Sequence, residues 1–225
     1  MLQESCSRIL DSECKQFHHI SSFFFFCLFL LSPDFSICLC SSLSISPPAI
    51  LDALTLDMRF DKPSAIQAST IPLILDGRNV IAQAQAGSGK TIAFTIGMLS
   101  IVDTSRDELQ AICLTPTREL ANQILHDAVA NLAKRMPQVR YEAALPGIDV
   151  DKFSKCRSHI VVGTPGKVKS LLSSRYLDFS TVKMFVLDEA DAMVAKSQMA
   201  KSMGAGTSHW WLCLFVCLSV LVLII

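Results

Sequence analysis

The feature that most constrains the fold is a regular alternation of short apolar runs and longer amphipathic stretches in the middle of the chain. Five short, mainly apolar runs predict strands: Asn79–Ala84, Ala111–Thr115, Tyr141–Leu145, His159–Thr164 and Lys183–Leu187. Three stretches with apolar residues three and four positions apart predict helices: Lys90–Val102, Arg118–Arg135 and Gly166–Ser173. This alternation predicts an α/β fold in which helices cover both faces of a mostly parallel sheet.

Charge separates this middle stretch from the two ends of the chain. Residues 46–206 hold all but two of the 20 Lys and Arg residues and all but four of the 20 Asp and Glu residues. We expect residues 46–206 to form one domain, which is long enough to bury a core. The whole chain has a formal net charge of +0, so a nucleic acid could be bound only by a local basic patch. Its nine cysteines lack C-x-x-C spacing, which argues against a disulfide framework or a zinc site.

The N-terminal segment, residues 1–45, is apolar and of low complexity. Its longest apolar run, Phe23–Leu31, lacks the basic leader that is typical of a signal peptide. Pro33 and Asp34 interrupt it well short of the roughly 20 residues that span a bilayer. We therefore expect residues 1–45 to lie outside the folded domain.

The C-terminal segment, residues 207–225, is also apolar. From Trp210 to Ile225 its one polar residue is Ser219. A helix of that length would extend about 24 Å, short of the roughly 30 Å hydrocarbon core of a bilayer. The segment is thus a marginal transmembrane candidate. The alternative, which we favour slightly, is that both ends are translated non-coding sequence.

A glycine-rich loop follows the first predicted strand. It runs Ala84-Gln85-Ala86-Gly87-Ser88-Gly89-Lys90-Thr91. Small residues let backbone N–H groups converge on a polyphosphate, the Lys90 ammonium neutralises the outer phosphates, and the Thr91 hydroxyl is a ligand for Mg²⁺. The helix that begins at Lys90 directs its positive end at the same anion. The strict phosphate-loop pattern has Gly at the position of Ala84, and a flexible turn is the alternative interpretation.

An acidic cluster follows the last predicted strand. It runs Asp188-Glu189-Ala190-Asp191. A carboxylate at the end of a buried strand can hold the Mg²⁺ that is bound to phosphates, and an adjacent one can orient the attacking water. Alternatively, acidic residues at the start of a helix serve as a cap and as dipole partners. The upstream phosphate loop favours catalysis, with Lys90, Asp188 and Glu189 as the catalytic residues.

Two further motifs complete a resemblance to the first RecA-like domain of the DEAD-box RNA helicases. Pro116-Thr117-Arg118-Glu119-Leu120-Ala121 and Thr164-Pro165-Gly166-Lys167 lie between the phosphate loop and the Asp-Glu-Ala-Asp cluster, in the family's order. The segment from Phe60 to Gln67 resembles the family's adenine-sensing Q motif. The resemblance covers residues 46–206. Within the family, the chain resembles both the mRNA-export branch and the translation-initiation branch. It implies a RecA-like three-layer fold.

The resemblance implies ATP and Mg²⁺ as cofactors and RNA as the partner. The implied ATP contacts are Phe60, Lys62, Gln67, Ala84, Gln85, Ala86, Gly87, Ser88, Gly89, Lys90 and Thr91. Thr91 would hold Mg²⁺, Asp188 would hold it through water, and Glu189 would position the hydrolytic water. The backbone of single-stranded or duplex RNA would contact Pro116, Thr117, Arg118, Thr164, Pro165, Gly166 and Lys167. The family implies a cytoplasmic or nuclear location, and a membrane partner is expected only if the C-terminal segment is an anchor.

The chain also departs from the family pattern. The family's Gly-Gly motif is absent near Leu145-Pro146-Gly147, and Lys167 replaces an Arg, which keeps the charge and loses bidentate phosphate recognition. The family's Ser-Ala-Thr motif and second RecA-like domain do not follow Met203. The expected function is that of an ATP-dependent RNA helicase fragment with little activity alone. The alternative is a non-catalytic module that binds ATP or RNA, tethered to a membrane if the C-terminal segment is an anchor.

Overall fold

A single sheet of seven parallel strands organises the protein, in a computed structural model that describes residues 18–20, 47–147, 157–195 and 220–224. In chain order the strands are β1 (His18–Ile20), β2 (Val80–Ala82), β3 (Ala111–Leu114), β4 (Tyr141–Ala144), β5 (Ile160–Gly163), β6 (Met184–Leu187) and β7 (Val220–Ile224). Their order across the sheet is β1-β2-β7-β6-β3-β5-β4. Every neighbouring pair is parallel.

The helices connect these strands. They are α1 (Pro48–Asp52), α2 (Ala65–Leu75), α3 (Lys90–Ser100), α4 (Arg118–Gln123), α5 (Ala130–Ala133), α6 (Pro165–Ser173) and α7 (Ala190–Ala195). A π-helical turn, Ala53–Asp57, extends α1, and a second, Ile124–Val129, joins α4 to α5 in one continuous helical stretch. Parallel neighbours need crossover connections of this kind.

Two hydrophobic cores lie on opposite faces of the sheet. In β3, Ala111 and Cys113 belong to one core, whereas Ile112 and Leu114 belong to the other. All four side chains are buried, as expected for a strand that helices cover on both sides. The helices α2, α3 and α4 contribute to the first core, and α6 and α7 contribute to the second. This arrangement confirms the predicted three-layer α/β fold.

The phosphate-loop helix α3 lies unusually close to its neighbours. A Cβ atom at Gly97 would stand 2.4 Å from Cγ2 of Ile74 in α2 and 3.1 Å from Cε of Met184 in β6. Because glycine has no side chain, it permits this close contact, whereas a larger residue would push α3 away from its neighbours. The contact seats α3 against β6, and so the helix that begins at Lys90 is packed against the strand that ends before Asp188.

The five predicted strands and three predicted helices are present with small shifts at their ends. The strand predicted at Asn79–Ala84 is shortened to Val80–Ala82, and the helix predicted from Gly166 begins at Pro165. The alternation pattern did not predict α1, α2, α7, β1 or β7. For α2, the internal Pro72 argues against a helix, because proline removes a helical hydrogen bond.

Two of the unpredicted strands lie in the end segments of the chain. His18–Ile20 pairs with β2, and Val220–Ile224 pairs with β2 on one side and with β6 on the other. The rest of both end segments lies outside the described residues. In the part of the chain that the structure describes, no helix is long and apolar enough to cross a membrane.

Candidate active site

The carboxyl ends of β3, β5 and β6 bring three sequence motifs to one edge of the sheet. Leu114 pairs with Gly163 on one side and with Leu187 on the other. The ladder extends one residue further, because the Thr115 N–H donates to the Gly163 carbonyl at 3.0 Å and the Asp188 N–H donates to the Leu114 carbonyl at 3.0 Å. The loops that follow these strands therefore start side by side, which is where ligands bind in open α/β sheets.

The strand order divides this edge into two halves. The phosphate loop follows β2 and Asp188 follows β6, with β7 between these two strands. The 116–118 motif follows β3 and the 164–167 motif follows β5, in the other half of the edge. The edge thus carries two neighbouring groups of residues, with Asp188 at the boundary. One group is predicted to act on the nucleotide, and the other is predicted to contact RNA.

Backbone geometry shapes the phosphate loop as an anion-binding concavity. Gly87 and Gly89 have φ angles of +76° and +93°, which lie in the left-handed region that favours glycine. Such turns make successive N–H groups converge on one point. A Cβ atom at Gly87 would meet no atom within 4 Å, so the loop opens towards solvent there. Gly89 is also the N-cap of α3, whose first-turn N–H groups face the same region.

Ser88 supplies an independent sign that the loop is built to receive a ligand. Its hydroxyl oxygen is buried and has no hydrogen-bond partner among the described residues. Buried polar atoms are almost always paired, so an unpaired hydroxyl in a loop of this shape indicates a partner from outside the chain. The Lys90 ammonium donates to the carbonyl of Ala84 and so folds back over the loop. These donors fit a phosphate group.

Gln67 is tied directly to the phosphate loop. Its side-chain Nε2 donates to the Gly89 carbonyl at 3.1 Å. Its Oε1 accepts from the Ser64 N–H at 2.9 Å, and the Ser64 hydroxyl accepts from the Gln67 N–H at 3.4 Å. This reciprocal capping box begins α2. Of the other predicted adenine contacts, Phe60 and Lys62 are exposed upstream of the helix.

Ser64 is a residue whose contribution the sequence analysis missed. It holds the Gln67 amide in the orientation that reaches Gly89. The signal was available, because a serine followed three residues later by glutamine is the sequence signature of a capping box.

Asp188 is a buried carboxyl group with a perturbed pKa. It is 6 % exposed. Burial is the main cause that raises the pKa of Asp188 to about 6, and the neighbouring Glu189 charge adds to the effect. A hydrogen bond from the Glu189 N–H, at 3.1 Å, and the charge of Lys90 act in the opposite direction. Lys90 and Asp188 are therefore close enough to interact, as a site between β2 and β6 requires.

Glu189 occupies a strained turn at the same edge. Its φ angle is +51°, which is uncommon for a residue with a side chain, and the residue is exposed. Strain of this kind is concentrated at functional sites. The turn leaves Asp188 buried and places its neighbour Glu189 in solvent, so the two adjacent carboxylates have different environments.

A divalent cation would need ligands beyond the protein. Among the described residues, no group of three His, Cys, Asp or Glu side chains is arranged to hold a metal ion. The predicted ligands, the Thr91 hydroxyl and the Asp188 carboxylate, would provide two oxygens. That number suits Mg²⁺, which usually binds through one or two protein ligands together with phosphates and water.

The motifs predicted to contact RNA begin two helices at the same edge. Thr117 is the N-cap of α4, and its hydroxyl accepts from the Leu120 N–H at 3.2 Å. Thr164 is the N-cap of α6, yet its hydroxyl makes no capping hydrogen bond. A side-chain cap therefore does not account for threonine at this position.

The remaining residues of these motifs differ in their exposure. Arg118 and Gly166 are exposed, Lys167 is half-buried, and Pro116 and Pro165 are buried. A Cβ atom at Gly166 would meet nothing within 4 Å, so the backbone there is open to a ligand. The accessible groups are two cations and open backbone, which suit phosphate contacts without base reading.

This fold and site define a phosphate-loop domain of the helicase type, and sequence comparison supports that class. The sequence model of the family described as DEAD/DEAH box helicase matches residues 64–209. ATP-dependent RNA helicase dbp5 of Schizosaccharomyces pombe is 44% identical over 165 residues, 72% of this chain and 32% of the relative. Eukaryotic initiation factor 4A of Drosophila melanogaster is 45% identical over 140 residues, 61% of this chain and 34% of the relative.

Solved structures show the same relationship. Dbp5 of S. cerevisiae bound to RNA and ADP BeF3 superposes with a TM-score of 0.67 at 30% identity, over 79% of this chain and 44% of that one. A DEAD box protein from Methanococcus jannaschii has a TM-score of 0.65 at 30% identity, over 79% of this chain and 47% of that one. The protein belongs to the DEAD/DEAH box helicase family. The chain spans about a third of the length of the S. pombe and D. melanogaster relatives.

We expect Asp188→Asn to stabilise the protein when Mg²⁺ and nucleotide are absent. Because burial raises the pKa of Asp188 to about 6, the folded state binds this proton more tightly than the unfolded chain, whose Asp pKa is about 3.9. Ionisation of Asp188 therefore lowers the free energy of unfolding as pH rises from about 4 to about 6. Asparagine removes that cost, so the variant should be more stable by about 1–3 kcal/mol above pH 7.

Chemical denaturation at two pH values checks this prediction. The gain should be present above pH 7 and nearly absent near pH 4. The exposed Asp191, on the first turn of α7, provides the control variant Asp191→Asn, for which we expect little change at either pH. A gain of equal size at both pH values would contradict the electrostatic explanation.

Proposed function

We propose that the protein is the ATP-binding RecA-like core of an ATP-dependent RNA helicase, which binds ATP with Mg²⁺ in one half of the sheet edge and the RNA backbone in the other. The observation that carries the proposal is the phosphate loop with its buried, unpaired Ser88 hydroxyl, close enough to Asp188 for the Lys90 charge to act on it. Family membership supports it, since relatives that match this chain are named ATP-dependent RNA helicases.

Each residue of the nucleotide half has a distinct task in this proposal. The loop N–H groups and Lys90 bind the phosphates, and the Thr91 hydroxyl and Asp188 would hold Mg²⁺, which neutralises phosphate charge when it is bound with the nucleotide. Placing a cation beside Asp188 would favour its ionised form and so reverse the effect of burial on its pKa. The exposed Glu189 carboxylate positions a water molecule and accepts its proton.

The adjacent half of the edge suits RNA. Helix N-termini and cations bind phosphate groups without reading bases. The S. cerevisiae Dbp5 structure that this chain resembles is described as bound to RNA and ADP BeF3. We infer that Pro116–Arg118 and Thr164–Lys167 form the corresponding RNA contact here. In this arrangement Asp188 and Glu189 adjoin both ligands, so bound RNA can influence the geometry of hydrolysis.

The Lys90→Ala variant tests nucleotide binding. Loss of the ammonium removes a charge-assisted hydrogen bond to the phosphates, so we expect affinity for ATP·Mg²⁺ to fall by about 10- to 100-fold. Titration with a fluorescent ATP analogue measures the effect. The matched control is Lys134→Ala, which removes an exposed lysine just beyond α5 and should bind as the unaltered chain does. Equal affinity of both variants would overturn the phosphate-loop assignment.

The Gln67→Ala variant tests whether one side chain serves both the loop and the base. The hydrogen bond to Gly89 uses one of the two amide hydrogens, and the bond from Ser64 uses one of the two oxygen lone pairs. The amide thus retains a donor and an acceptor for the adenine edge. We expect ATP affinity to fall by about 5-fold or more, because both the tether and the adenine contact are lost, and GTP affinity to fall less, because only the tether is lost.

Competition between ATP and GTP for the fluorescent analogue distinguishes the two roles of Gln67. Gln123→Ala, which alters an exposed glutamine on α4, is the control. An equal loss of affinity for both nucleotides would agree with the tether and contradict the adenine contact. No loss for either nucleotide would contradict both roles.

The 225-residue chain by itself should show almost no RNA-stimulated ATP hydrolysis. In phosphoryl-transfer enzymes an arginine finger contributes about 10³- to 10⁵-fold to the rate. The family resemblance places that arginine in a second RecA-like domain, and this chain covers about a third of the length of its relatives. A phosphate-release assay with and without single-stranded RNA measures the activity, and Glu189→Gln sets the background. Strong stimulation above that background would refute the need for a second domain.

A further inference from the structure

The last strand, β7, occupies a position that links the two halves of the nucleotide site. Val222 pairs with Val80 of β2 on one side and with Val186 of β6 on the other. Within the described residues, β2 and β6 do not pair with each other directly. One strand therefore separates β2, which leads into the phosphate loop, from β6, which leads into Asp188. The axes of β2 and β6 are then about 9–10 Å apart.

The sequence of β7 fits an interior strand. It reads Val-Leu-Val-Leu-Ile, with no polar residue at any position. A strand with one face in solvent would alternate apolar and polar residues, whereas a strand buried on both faces is apolar throughout. The neighbouring β6, Met-Phe-Val-Leu, has the same character. Three of the five residues of β7 are β-branched, which favours a pleated conformation.

The flanking strands need such a neighbour. Val80 and Ala82 in β2 are each 1 % exposed, and Met184 and Val186 in β6 are fully buried. Without β7, both strands would present a row of unpaired N–H and C=O groups inside a buried part of the sheet. Each such group costs free energy comparable to a lost hydrogen bond. The connection from β6 to β7, residues 188–219, is long enough for the crossover that parallel neighbours require.

We propose that Val220–Ile224 is a structural strand of the nucleotide-binding domain, which sets the spacing between Lys90 and Asp188, and that it is not a membrane anchor. The apolar character of Val220–Ile224 is then explained by its place in the sheet. The proposal concerns sheet pairing and does not depend on which nucleotide is bound, so it can fail while the ATP-binding prediction holds.

Disulfide cross-linking tests the register of β7. Ile81 pairs with Leu223, and paired residues in neighbouring parallel strands have Cα atoms about 4.8 Å apart, within the range that a disulfide spans. The control pair is Ile81 with Leu221, which lies on the same face of β7 but two residues away from the paired position. Its Cα atoms are about 8 Å apart, which is too far for a disulfide. We expect the Ile81→Cys/Leu223→Cys chain to form the disulfide under mild oxidation, and the Ile81→Cys/Leu221→Cys chain to remain open.

Peptide mapping of the oxidised full chain identifies the new disulfide among the nine native cysteines. Cross-linking of both pairs at the same rate, or of neither pair, would overturn the proposal. Binding of the full chain to phosphatidylcholine vesicles with residues 220–224 protected from protease would also overturn it, because a segment inserted in lipid cannot pair with β2 and β6.

A second pair of variants tests the contribution of β7 to the sheet. Val222→Pro removes a backbone N–H from the middle of the strand, and Val222→Ile keeps the strand intact and serves as its control. We expect the proline variant to unfold at a lower denaturant concentration or not to fold, and its amides in β2 and β6 to exchange faster. The isoleucine variant should behave as the unaltered chain does. Equal stability and equal exchange in the two variants would count against the proposal.

Discussion

The parallel pairing of β3 with β5 and β6 is the constraint on which the rest of the structure depends. It places Leu114 in register with both Gly163 and Leu187, so the residues that follow all three strands emerge at one edge. A parallel sheet is stable when both of its faces are covered. This requirement explains why the side chains of β3 are divided between two cores. The positions of the functional motifs follow from this register.

The site combines groups that are costly to leave without a ligand. Asp188 is buried with its pKa raised to about 6, the Ser88 hydroxyl is buried without a partner among the described residues, and Glu189 has a φ angle of +51°. Each feature lowers the stability of the unliganded protein. Phosphate and a divalent cation would offset the first two by supplying a hydrogen-bond acceptor and a positive charge. The free energy that these groups cost the unliganded protein therefore contributes to nucleotide binding.

The two halves of the nucleotide site are joined through elements that are distant in sequence. Gly97 lets α3 approach β6, and β7 pairs with both β2 and β6. Both connections are made within the sheet and its covering helix and not in the loops that carry Lys90 and Asp188. They hold Lys90 and Asp188 at a spacing that neither loop sets alone. The Gln67 hydrogen bond to Gly89 adds a third connection, from the Q motif to the phosphate loop.

The sequence by itself determined the α/β class, five central strands, three helices and the motifs at their ends, because periodicity, glycine and acidic residues act through local geometry. Only the tertiary structure decided three further points. Gln67 meets Gly89 across 22 positions, Val220–Ile224 enters the sheet between β2 and β6, and the pKa of Asp188 rises. Strand pairing depends on which edges the fold leaves open, and desolvation depends on neighbours from distant parts of the chain. An apolar run can therefore be recognised in the sequence, but its place in the sheet cannot.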